Sequence, residues 1–134
     1  MSRFRISLLA GAVACALAGP AAAQFSTTYI FGDSLSDAGQ FGTRYTTNPG
    51  LTAPMYVGER YGFASTPSFT GGNAYAVGGA RMNTINPGIP ASVPYQTVTQ
   101  QVSALLAKGP LDTNALYQIQ GGGTSGMLPK SGLT

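Results

Sequence analysis

Histidine is absent from this 134-residue chain, cysteine occurs once, and charged side chains make up only 8% of it. Without histidine there is no imidazole to serve as a base near neutral pH, and no ordinary His-containing zinc site. A lone cysteine cannot close a disulfide within the chain. It is Cys15, inside an apolar leader, with Ala12 standing where lipoprotein cleavage sites prefer leucine. Seven Lys and Arg against four Asp and Glu give a net charge of +3, which falls to +1 once Arg3 and Arg5 of the leader are set aside. That leaves no basic patch for nucleic acid or an anionic membrane surface.

The leader itself is informative. Arg3 and Arg5 form a basic start, Ile6 to Leu17 is apolar, Gly19-Pro20 breaks the run, and Ala21-Ala22-Ala23 supplies small residues. This is the pattern of a cleaved export signal over residues 1–23, with the mature chain starting at Gln24. The apolar run is too short for a stable spanning helix, an uncleaved anchor being the alternative. The expected location is therefore the periplasm, the outer-membrane surface or the medium, with no transmembrane segment after cleavage.

The remaining 24–134 allows one domain at most. Thr27-Thr28-Tyr29-Ile30 reads as a buried first strand. Gly39 to Pro54 reads as an irregular surface connection, and Met55 to Gly62 as a short helix with Val57, Arg60 and Tyr61 on one face. Asn73 to Val77 is expected as a second strand ending at Gly78-Gly79. Thr97 to Lys108 is expected as a helix with Val98, Val102, Leu105 and Leu106 as its core stripe, and Ala115 to Ile119 as a third strand. The alternation implies an α/β domain with a parallel sheet.

Three stretches follow these strands. Phe31-Gly32-Asp33-Ser34-Leu35-Ser36-Asp37 leaves the first and places a hydroxyl at the carboxyl edge of the sheet, where ligands of open α/β sheets bind. A capping role for Ser34 is the plainer alternative. The glycine pair 78–79 ends the second, either as a simple turn or as a close-approach site for a ligand carbonyl. Gly121-Gly122-Gly123 ends the third. With Gly126 it satisfies a dinucleotide fingerprint in form, but Pro129 interrupts any following helix and no acidic ribose partner remains, so no nucleotide is expected.

The first stretch, with Ala38-Gly39, closely resembles the first block of the GDSL (SGNH-hydrolase) esterases and lipases. Tyr75-Ala76-Val77-Gly78-Gly79-Ala80 resembles the second block, and Asn114 to Gly123 the approach to the third. The resemblance covers about Thr28 to Gly123. It implies a flavodoxin-like three-layer sandwich, here incomplete, and ester hydrolysis of an acyl-ester or lipid substrate without metal or other cofactor. It implies Ser34 as nucleophile, with the Ser34 and Gly79 (alternatively Gly78) backbone N–H groups as oxyanion donors. Asp33 and Asp37 would support the site. The third block ends in Gly-x-Asn-Asp in the family, whose Asn is a further oxyanion donor; Thr124-Ser125 stands there instead. The final Asp-x-x-His block is missing, and the tail 124–134 is unlike the family. The resemblance therefore implies a nearly inactive, truncated or frame-shifted member, similar to the amino-terminal part of bacterial autotransporter esterases. The competing expectation is a non-enzymatic secreted remnant or surface-binding module.

Overall fold

The computed structural model describes residues 25–46 and 50–123. The leader 1–23, Thr124 and the tail lie outside these residues. Strand β1 is Thr28–Phe31, helix α1 Ala53–Arg60, helix α2 Val98–Leu106 and strand β2 Leu116–Ile119, with a short 3-10 helix at Ser68–Thr70. β1 and β2 pair in parallel, with Thr28 opposite Leu116 and Phe31 opposite Ile119. The chain is thus a small α/β unit built on a two-stranded parallel sheet.

The expected second strand is only partly realised. Segment 73–77 runs along the free edge of β1, where the Ile30 N–H donates to the Asn73 carbonyl (3.1 Å) and the Val77 N–H to the Gly32 carbonyl (3.1 Å). Between these, two consecutive amides, Tyr75 and Ala76, point at the single Ile30 carbonyl, at 2.6 and 3.2 Å. Regular alternation is lost there, and one isolated parallel bridge, Ile30 to Ala74, remains. β1 still lies between this segment and β2. Its carboxyl end is therefore flanked on both sides, which positions the loop that follows.

Alternating side chains of β1 feed two cores. Ile30 joins Ala38, Met55, Ala74 and Ala76. Phe31 joins Tyr75, Val77, Val98 and Leu105. One helix thus covers each face, as a parallel sheet requires.

Both helices differ from expectation in which residues face inward. In α1 the inward residues are Met55 and Gly58, while Val57 and Tyr61 are exposed. Pro54 starts the helix two residues early, since its missing N–H costs nothing in the first turn. Gly58 then sets the face, because a Cβ there would come within 3.3 Å of Thr28 Cγ2 and 2.9 Å of Ser65 Oγ. Helix α2 begins with a capping box. The Gln100 N–H donates to Thr97 Oγ1 and the Thr97 N–H to Gln100 Oε1, each at 3.1 Å. Its buried stripe is Val98, Gln101 and Leu105, whereas Leu106 is exposed and Val102 half-buried.

Candidate active site

Residues 32–37 turn sharply off the end of β1. Asp33 is fully buried, and its Oδ1 accepts the Leu35 N–H at 3.1 Å, closing a side-chain turn. Its Oδ2 has no hydrogen-bond partner among the described residues and lies against Gly123, where a Cβ would fall 2.8 Å away. Ser36 Oγ donates to Gln120 Oε1 at 2.6 Å, joining the loop to the end of β2.

Asp37 joins the first stretch to the second. Its buried carboxylate accepts the Gly39 and Gln40 N–H groups through Oδ1, both at 2.8 Å, and the Gly78 N–H through Oδ2 at 2.7 Å. Gly78 is thereby removed as a free donor. The Gly79 N–H makes no hydrogen bond among the described residues, and the same holds for the Ser34 N–H and hydroxyl.

Ser34, Gly78 and Gly79 line one cavity of about 330 Å³ with Tyr45, Asn86 and Ile89. Gly79 adopts φ +84°, a conformation that L side chains rarely tolerate. Asn86 holds it there. Its Nδ2 donates to the Gly79 carbonyl at 2.9 Å, while its Oδ1 accepts the Gly88 N–H at 3.0 Å. The carbonyl is turned to Asn86, and the peptide is fixed from that side.

A further residue supports the loop from below. Gln101 is fully buried; its Oε1 accepts the Gly32 N–H at 2.8 Å and its Nε2 donates to the Gly32 carbonyl at 2.9 Å. Sequence reasoning singled out neither Asn86 nor Gln101. Gln101 did leave a signal, since it sits between Val98 and Leu105 on the inner stripe, where a polar side chain needs a buried partner.

A second, larger cavity of about 680 Å³ adjoins the first, with Tyr45 lining both. Its walls include Leu35, Leu51, Val57 and Ile119, so it is largely apolar. No described carboxylate is hydrogen-bonded to Ser34. Asp33 and Asp37 are committed to the loop, Glu59 lies on the exposed side of α1, and Asp112 bonds Ser26 and Asn114 before the strands begin. Among the described residues no helix is long and apolar enough to cross a membrane.

No protein-family model matches the chain, and no solved structure matches it. Curated relatives do. A protein of Pseudomonas putida called "Uncharacterized protein in trpE-trpG intergenic region" is 35% identical over 89% of this chain. Proteins called "Esterase EstA" from Pseudomonas aeruginosa and from Pseudomonas putida are each 32% identical over 89% of this chain. The chain spans about a quarter of the length of these relatives, 25% of the first and 26% of the two esterases. Over most of its length, then, the chain is related in sequence to proteins named as esterases.

Proposed function

We propose that the chain carries the nucleophile and oxyanion half of a serine ester-hydrolase site of the GDSL type. The observation that carries this reading is that Ser34 and Gly79 line one cavity and that neither of their backbone N–H groups makes a hydrogen bond among the described residues. In the reaction, Ser34 Oγ attacks the ester carbonyl carbon as its proton passes to a base. The oxyanion so formed accepts hydrogen bonds from Ser34 N–H and Gly79 N–H, and the alkoxide leaves with a proton from the same base. Water then cleaves the acyl-serine. Each oxyanion donor is worth about 10²–10³ in rate. The apolar cavity beyond Tyr45 favours an acyl-ester or lipid substrate, with its chain directed along Leu35 and Ile119.

The missing part is the base. The sequence holds no histidine and no described carboxylate is bonded to Ser34, so we expect the chain by itself to hydrolyse esters at a negligible rate. Export through cleavage of residues 1–23 belongs to the same proposal, and intact mass of the exported product should start at Gln24.

The site reading is tested by chemical rescue. Imidazole added at high concentration should accelerate hydrolysis of a p-nitrophenyl butyrate probe in the native chain beyond the imidazole-only background. The increment should disappear in Ser34→Ala. An equal increment in both proteins would overturn the assignment of Ser34.

A further inference from the structure

The opposite end of the sheet carries a third cavity, of about 430 Å³, that shares no lining residue with the Ser34 cavity. Thr27, just before β1, and Asn73, at the start of segment 73–77, are part of its wall. Its volume lies in the range of small-molecule sites, about 300–1,000 Å³.

Tyrosines form its wall: Tyr29 and Tyr117 are half-buried, and Tyr75 lies buried behind them. Tyr29 and Tyr117 are opposite one another in the parallel ladder, and their rings stack at 5.5 Å with only 15° between planes. Tyr75 completes the group from the other edge of β1, with Lys108 Nζ 5.0 Å from its ring centroid. Asp112 closes the rim. A hydrogen bond with Tyr75 holds the Lys108 ammonium above its ordinary pKa, and a hydrogen bond from Ser26 holds the Asp112 carboxyl below its own. Both are therefore charged at neutral pH, with opposite signs. Such a rim favours neither an anion nor a cation. It offers hydrogen bonds to a neutral polyhydroxylated ligand, while the tyrosines offer apolar contact.

We propose that this tyrosine-lined cavity is a carbohydrate-binding site that takes a neutral mono- or disaccharide unit. The apolar C–H face of a pyranose ring meets the half-buried Tyr29 and Tyr117, and its hydroxyl girdle meets Lys108 and Asp112. The proposal is independent of the esterase reading.

Titration calorimetry of the full chain with maltose, cellobiose, diacetylchitobiose and methyl mannoside tests it. At least one probe should bind saturably. Lys108→Met, at an exposed position, should weaken that binding by about tenfold. Tyr29→Leu should weaken it as well, and Ser34→Ala should leave it unchanged. Absence of saturable binding by all four probes would overturn the proposal, as would binding that Lys108→Met and Tyr29→Leu do not alter. Loss of binding in Ser34→Ala would place the sugar in the other cavity and also overturn it.

Discussion

Replacing Gln101 by leucine keeps the side-chain volume close to that of the native residue and removes both hydrogen bonds to Gly32. The two bonds do not carry equal weight. The Gly32 carbonyl still accepts the Val77 N–H, so losing Nε2 costs about an ordinary net hydrogen bond, roughly 0.5–1.5 kcal/mol. The Gly32 N–H has no second partner among the described residues and would be left buried, at about 1–3 kcal/mol. Together these predict a loss of about 1.5–4.5 kcal/mol, a large share of the roughly 5–15 kcal/mol that holds a domain folded. Urea unfolding followed by far-ultraviolet circular dichroism reads this directly. Gln101→Glu separates the hydrogen-bonding role from packing. The protonated carboxyl can accept from the Gly32 N–H and donate to its carbonyl, whereas the ionised form would point a buried charge at that carbonyl. Burial therefore raises the folded-state pKa of the introduced carboxyl, so its contribution is present below the unfolded value, about 4.3, and lost as pH rises. Gln101→Glu should be close to the native chain near pH 4 and fall below it toward neutrality. A Gln101→Leu chain within about 0.5 kcal/mol of the native one would refute the clamp.

Asp37→Asn should destabilise the fold by about 2–3 kcal/mol, because one carboxylate oxygen facing the Gly78 N–H becomes either a donor or a weaker acceptor; thermal unfolding measures it. Ser34→Ala should change stability by less than about 0.5 kcal/mol, since the hydroxyl has no partner among the described residues, and a larger drop in the same assay would point to a structural serine. Asp112 contributes stability that is present above its unfolded pKa and lost as pH falls through its lowered folded value. Asp112→Asn should accordingly flatten the acid limb of the melting-temperature profile and leave the limb above neutrality unchanged.

Periodicity and turn chemistry placed most of the elements in this sequence. The first strand is displaced by one residue, Thr28–Phe31 against an expected start at Thr27, and α2 and β2 fall inside their expected ranges. The failures share a cause, which is tertiary contact overriding a local pattern. Nothing local announces that Gly58 must abut Thr28, so periodicity alone points to Val57, Arg60 and Tyr61 as the inner face of α1. Gln101 faces inward because the backbone of Gly32 needs partners 69 residues away. The second strand has the composition of a strand, and only the doubled approach of Tyr75 and Ala76 to one carbonyl explains why it bridges instead of pairing. At the site, the three motif stretches marked the ends of β1, segment 73–77 and β2. The resemblance prefers Gly79, with Gly78 as the alternative; that the Asp37 carboxylate accepts the Gly78 N–H has no local signal in the sequence.

The central claim is that Ser34 is a nucleophile held ready and short of a base. Its most direct test is peptide mapping by mass spectrometry after the chain is incubated with p-nitrophenyl butyrate and imidazole. The account predicts a butyryl adduct on the peptide containing Ser34, absent from Ser34→Ala. Adducts confined to lysine and tyrosine side chains, and identical in the two proteins, would contradict it.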